Sequence, residues 1–175
     1  MELQDNDLID MSAMIIENMF GEPGRKIFEY LLKNGYIAEE RIATTLDVRS
    51  NEARKILQKL SDEAVVIPDR VKDEETGEVL HSWRLNKPAL KTFILNRLKK
   101  TREKLEVLAR HEREGTLYIC KTCNRRYLLD EAYAYGFQCP NDGDLLVEAN
   151  NPAVVKLIEE SIKKIDVLIS MIERM

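Results

Sequence analysis

A fourth cysteine is missing from this chain. All three cysteines fall in the stretch CKTCNRRYLLDEAYAYGFQCPNDGD, with two residues between Cys120 and Cys123 and fifteen between Cys123 and Cys139. The next two-residue gap ends on Asp142. An odd count concentrated in one place does not suit a secreted disulfide framework and points to intracellular metal binding. Other scarcities exclude further classes. Aromatic residues make up 6% of the chain, and there are only seven glycines and five prolines in 175 residues, which favours helix over an all-β fold. The only histidines are His81 and His111, neither has a second histidine at metal-binding spacing, and no H-x-E triplet exists, so a zinc deaminase pattern is absent. No apolar run exceeds four residues, so no membrane-spanning helix is expected. The opening MELQDNDLID is acidic and polar, unlike a secretory signal, and a cytoplasmic location is expected. No nucleophile–base pair, phosphate loop or paired acids stand out, so no enzyme is expected. Internal repeats and low-complexity tracts are also absent.

What is present is an uneven distribution of charge. Residues 1–86 carry a net −7 and residues 87–115 a net +5, while residues 116–147 and 148–175 carry −1 each. The acidic segment reads as helices followed by a hairpin. Leu8, Met11, Ile15 and Met19 share a face of a predicted helix from Asp7 to Phe20, and GEPG breaks it. Pro23 can open a second helix that ends at Asn34-Gly35. A short helix from Glu39 to Leu46, a tight turn at Asp47-Val48 and a helix N-capped by Ser50 follow. Ala64 to Ile67 and Val79 to Leu85 read as two strands joined by a polar reversal at DEETG. Three helices and a hairpin in this order predict a winged helix-turn-helix.

The basic segment predicts one long helix over residues 87–113, with Leu90, Ile94, Leu98, Leu105 and Leu108 at roughly heptad spacing. At the other end Val155, Ile158, Ile162, Ile165, Ile169 and Ile172 keep a strict 3-4 rhythm, the narrow seam of a coiled coil. The fold class expected is therefore mainly α with small β elements. A winged domain (1–86) is followed by a linker helix (87–115), a zinc-ribbon-like module (116–148) and a C-terminal helix (149–175). That last helix pairs with the linker helix as a coiled-coil hairpin, or each helix packs separately on a globular body.

Zinc takes four donors in a tetrahedron, and two C-x2-C turns supply four thiolates to one ion. Here the set is Cys120, Cys123, Cys139 and Asp142, whose carboxylate oxygen is an acceptable zinc ligand at about 2.0–2.2 Å. Three readings stay open: one structural Zn2+ completed by Asp142, a three-thiolate site completed by water or another group, or a ribbon without metal that rests on Tyr118, Tyr127, Phe137 and Leu145. The residues between Cys123 and Cys139 alternate enough to predict short strands.

The predicted recognition helix, Asn51 to Leu60, carries Arg54, Lys55 and Lys59, but it belongs to a segment at −7. Phosphate attraction supplies nearly all non-specific DNA affinity and is opposed here, so a protein-binding surface is expected instead. Arg70, Lys72, Trp83 and Arg84 in the wing are the candidate contacts for a strand held nearby by something else. Trp83 either stacks on a base or anchors the wing to its domain.

The stretches IFEYLLKNGYIAEERIATTLDVRSNEARKILQKL and YICKTCNRRYLLDEAYAYGFQCPNDG, within this overall plan, resemble the archaeal transcription factor E family, counterpart of the α subunit of eukaryotic TFIIE. The resemblance covers nearly the whole chain. It implies a non-catalytic general initiation factor that joins TATA-binding protein and transcription factor B in the preinitiation complex. It further implies that the winged helix sits on the RNA polymerase clamp, with the ribbon near the clamp and stalk and the wing near the non-template strand, and that the factor promotes promoter opening. A TFE beta subunit is an alternative partner for the isoleucine seam. The departure from the family pattern is Asp142, where cysteine is usual. The rival function, from a different class, is a metal-sensing winged-helix DNA-binding regulator, which requires a dimer and a palindromic operator.

Overall fold

The computed structural model describes residues 4–72, 77–114, 117–149 and 152–175. It divides into two compact units, one of Met1–Arg97 with Met171–Met175 and one of Leu98–Ser170. The fold is mainly helical with two small antiparallel sheets.

In the first unit, α1 (Asp5–Asn34) is interrupted at Gly21, whose φ of 69° and ψ of −164° are not helical. This is the break expected from GEPG. Gly24 is needed just beyond it, since a Cβ there would lie 2.6 Å from the Phe20 Cβ. The helix ends at Gly35, which adopts φ 85° and donates its N–H to the Leu31 carbonyl at 2.8 Å. β1 (Tyr36–Ala38) follows at once, then a turn of 3-10 helix, α2 (Ile42–Leu46) and α3 (Ser50–Asp62). Asp47, left-handed at φ 51°, makes the turn between the two helices. Ser50 is not the N-cap. Arg49 has the extended backbone, and its carbonyl accepts the N–H groups of Glu52 and Ala53, both at 2.9 Å.

β2 (Val66–Lys72) and β3 (Val79–Leu85) form the hairpin, and β1 joins it in the order β1-β3-β2. β2 starts later than the sequence suggests because Ala64 is left-handed at φ 57° and the Val65 N–H bonds back to the Leu60 carbonyl at 2.8 Å. Residues 73–76 of the expected reversal lie outside the described residues. α4 (Leu90–Glu114) starts after a 3-10 turn containing Pro88. Ile27, Phe28 and Leu31 of α1, Leu57 and Leu60 of α3, and Phe93 and Ile94 of α4 are buried almost completely. Each such side chain contributes about 1.5–3 kcal/mol relative to exposure.

The second unit holds the rest of α4, β4 (Leu117–Cys120), β5 (Arg126–Leu128), α5 (Leu129–Ala134), β6 (Leu146–Glu148) and most of α6 (Pro152–Glu173). Its sheet order is β5-β4-β6, with Tyr118 opposite both Tyr127 and Glu148. The stretch between Cys123 and Cys139, expected as strands, yields one three-residue strand and a helix. Glu131 at the third position of α5 accepts the Leu128 N–H at 2.9 Å and so starts that helix. Ion pairs join α4 to α6 in reversed chain order, Arg102 to Asp166 at 2.6 Å and Arg113 to Glu159. The two helices therefore run antiparallel in this unit. Of the seam in α6, Ile158 and Ile169 are buried and Val155, Ile162 and Ile165 half-buried. No helix among the described residues is long and apolar enough to cross a membrane.

Candidate metal centre

Two turns of the same design bring the four candidate ligands together. In the first, Cys120 ends β4, its N–H donates to the Arg125 carbonyl at 3.0 Å, and its carbonyl accepts the Asn124 N–H at 2.9 Å. In the second, the Cys139 N–H donates to the Asp144 carbonyl at 2.7 Å and its carbonyl accepts the Gly143 N–H at 2.8 Å. The residue that closes each loop is left-handed, Asn124 at φ 56° and Gly143 at φ 78°. Asn and Gly are the residues that tolerate this conformation. Asp142 thus occupies in the second turn the position that Cys123 occupies in the first. The likeness extends to the backbone: Arg125 N–H donates to Cys123, and Asp144 N–H donates to Asp142 Oδ1 at 3.1 Å.

One ligand atom from each of Cys120, Cys123, Cys139 and Asp142 lies within 4.8 Å of all the others. The Cys123 and Cys139 sulfurs are 3.6 Å apart, and Cys120 Sγ is 3.4 Å from both Asp142 oxygens. A tetrahedron with metal–sulfur bonds of about 2.3 Å and a metal–oxygen bond of about 2.0–2.2 Å has edges of roughly 3.5–3.8 Å. The 3.4 and 3.6 Å separations are close to that, and the 4.8 Å span of the whole cluster is wider. The donor set fits in charge as well, since a carboxylate replaces a thiolate anion for anion. Cys120 and Cys139 are buried, Cys123 is half-buried, and Asp142 is exposed. The site therefore opens to solvent on its carboxylate side.

The surroundings already favour two anions. The Asp144 N–H, aided by the neighbouring thiols, holds the Asp142 carboxyl below its usual range. Burial opposes ionisation of Cys139. The Tyr127 hydroxyl, 3.4 Å from the sulfur, and the N–H groups of Asn141 and Asp142 outweigh it and hold that thiol low. Donating to Cys139 pushes the Tyr127 phenol up to about 12. At Cys123 the Arg125 N–H favours the thiolate, but burial and the neighbours Asp142, Cys120 and Cys139 prevail and push the thiol up to about 12. A cation arriving among these groups is what would free that proton.

Ala132 of α5 and Leu146 of β6 complete the buried cluster around Cys120 and Cys139, with Tyr118, Tyr127 and Phe137 packed against it. Tyr118 and Phe137 meet edge to face at 5.1 Å. Leu145, expected in this support, is instead 65% exposed. Sequence reasoning missed two supporting links. Thr122 of the first turn hydrogen-bonds Asp144 of the second. Glu112 of α4, buried, pairs with Arg126 of β5 at 3.1 Å. The sequence marks the two turns by a left-handed-tolerant residue four positions after the first ligand of each, Asn124 and Gly143, but carries no local signal for these two links.

The four wing candidates do not lie together. Opposed residues of an antiparallel pair share a face, and successive residues alternate. The register places Arg70 opposite His81 and Lys72 opposite Val79, on the face that also carries Trp83 and its neighbours Pro68 and Ile37. Arg84 is on the other face, paired with Asp69 at 3.2 Å. Arg70 and Lys72 are exposed and Trp83 half-buried.

A helical unit with a three-stranded sheet and a second unit built on a cysteine–aspartate cluster define the class, a two-unit protein whose distinctive chemistry is a metal-type cluster. Residues 10–114 match the family model described as TFIIE alpha subunit, and the chain belongs to that family of transcription factors. It is 41% identical to transcription factor E of Staphylothermus marinus over 84% of this chain and 94% of that protein. It is 34% identical to transcription factor E of Methanocaldococcus jannaschii (85% and 87%) and 32% identical to that of Pyrococcus abyssi (87% and 81%).

Proposed function

We propose that this chain is a non-catalytic general initiation factor that binds archaeal RNA polymerase in the preinitiation complex and promotes promoter opening. The observation that carries the reading is the similarity to proteins named transcription factor E over more than four-fifths of the chain. The charge distribution supports it. Residues 1–86 form a winged helix-turn-helix in this reading, with α3 as its exposed helix and β2–β3 as the wing, yet carry −7. A domain so acidic is opposed by phosphate and is better placed on DNA by a protein than by its own affinity. The polymerase clamp supplies that placement, with the ribbon of residues 116–148 near clamp and stalk. TATA-binding protein and transcription factor B are the companions in the complex. Arg70, Lys72 and Trp83 on one face of the wing, with Arg84 on the other, touch the non-template strand weakly.

The linker helix and residues 149–175 pair as a coiled-coil hairpin, which the antiparallel ion pairs support. A TFE beta subunit then finds the seam already engaged. Cys120, Cys123, Cys139 and Asp142 would hold one structural zinc ion, which when bound supplies a fixed crosslink between the two turns. The chain's own residues shape the docking surface around it: Tyr127 and the backbone donors set the sulfurs, and Phe137 and Tyr118 pack beneath them.

Mechanically, a bound factor shifts an equilibrium only by its difference in affinity for the two states. The factor therefore binds the open-clamp, melted-promoter complex more tightly than the closed one. The test is promoter opening at a suboptimal temperature, read by a fluorescent base analogue in the melted region. Opening rises when the chain is added, and demonstrable polymerase binding without any rise would refute the proposal.

A further inference from the structure

We infer that the groove between α4 and α6 in the second unit binds the phosphate backbone of nucleic acid, with Arg110 and Lys163 as its contacts. The groove encloses about 430 Å³, and Arg110 and Lys163 line it from opposite helices. Both are exposed. Its acids are already engaged: Glu106 pairs with Arg102 at 3.1 Å, and Glu159 pairs with Arg113. Arg110 and Lys163 have no ion-pair partner among the described residues. Arg102 is shared with Asp166 at 2.6 Å, so these pairs leave one acid in excess, and the two uncommitted cations outweigh it and give the open channel a small net positive charge. The helix that supplies Arg110 belongs to the one segment of the chain with a strong positive balance, +5 over residues 87–115.

The occupant is a polyanion by charge, and the lining favours nucleic acid over an acidic protein. A protein partner draws its affinity from large apolar anchors seated in pockets. Here the apolar lining is only Ala109 and Ile162. A guanidinium fork beside an ammonium suits phosphate oxygens, bidentate from the arginine and point-like from the lysine. This inference is independent of the polymerase reading, because it concerns the chain alone with DNA.

The test is binding of the full chain to a short fluorescent DNA duplex across a salt series. Each phosphate neutralised contributes about 0.9 to the slope of log K against log salt, so R110Q/K163Q should bind more weakly and show a slope shallower by about 1.8. The pair K100Q/K104Q removes the same charge from exposed lysines of α4 that do not line the groove, and should change the slope by less than half as much. All four side chains are exposed, and circular dichroism confirms folding of each variant. Equal losses in the two pairs would overturn the inference in favour of net charge. Absence of salt-dependent duplex binding by the unaltered chain, with capture of a polyglutamate probe instead, would overturn it in favour of an acidic protein partner.

Discussion

Arg126→Ala should loosen the second unit far more than Glu112→Leu, although the two residues form one ion pair. The asymmetry follows from burial. The Glu112 side chain is 1% exposed and that of Arg126 39% exposed, with 3.1 Å between Glu112 Oε1 and Arg126 Nε. Among the described residues neither Glu112 oxygen has a hydrogen-bond partner, and the Arg126 guanidinium is the cation paired with it. At an effective dielectric of about 20 the Coulomb attraction over that distance is about 5 kcal/mol, and in bulk water about 1 kcal/mol. Arg126 is partly solvated, so a value near the middle is expected, about 2–3 kcal/mol. Removing Arg126 strands a carboxylate in the interior. Removing Glu112 leaves an arginine that water can reach, and a leucine there is close to neutral.

The assay is amide exchange at Tyr118 and Ile119 of β4 in the full chain with zinc held constant, because the single tryptophan, Trp83, lies in the first unit. Arg126→Ala should speed exchange about 30-fold, as 2 kcal/mol implies. In a Glu112→Leu background the same substitution should do little. If Glu112→Leu were as damaging as Arg126→Ala, the assignment of Glu112 as the stranded partner would be wrong.

Three further outcomes are expected. Asp142→Ala should weaken zinc binding by more than the roughly 10–100-fold typical of losing a supporting hydrogen bond, and Asp142→Cys should strengthen it, both by competition with a chromophoric chelator. Gly143→Val should destabilise the second turn by about 1–2 kcal/mol. Space is not the reason, since a Cβ there meets nothing within 4 Å, so the effect is backbone strain at φ 78° and will appear as lowered zinc affinity. Gly24→Ala should destabilise the first unit by about 1–3 kcal/mol through overpacking against Phe20 and Ile16, visible in urea unfolding followed by Trp83 fluorescence.

Elements with a local cause were legible in the sequence. Gly21 and Gly35 punctuate α1 where a left-handed or broken backbone is required, and the ligand spacing found the metal-type cluster because the chemistry of a turn is local. Elements with a distant cause were not. β1 is three residues whose pairing, Tyr36 to Arg84 and Ala38 to Ser82, is made across two helices and a strand. No periodicity can announce a strand that short. α5 was missed because apolar alternation in YLLDEAYAY imitates a strand, while the deciding event is a single side chain, Glu131, reaching back to Leu128. The supports of the site were hidden for the same reason. Tyr127 reaches Cys139 and Glu112 reaches Arg126 only after the sheet has formed. Residue type alone groups the wing candidates, and only the register separates Arg84 from Arg70, Lys72 and Trp83.

In the proposed role, a difference in affinity between two states of the same complex drives opening. It is tested most directly by measuring the chain's affinity for polymerase assembled with TATA-binding protein and transcription factor B, once on a fully duplex promoter and once on a promoter pre-melted around the start site. Tighter binding to the pre-melted complex is the predicted result, and where the duplex complex alone is almost wholly closed the ratio of the two affinities should equal the factor by which saturating chain raises the open-to-closed ratio on duplex DNA. Equal affinity for both complexes would contradict the account, whatever the strength of binding.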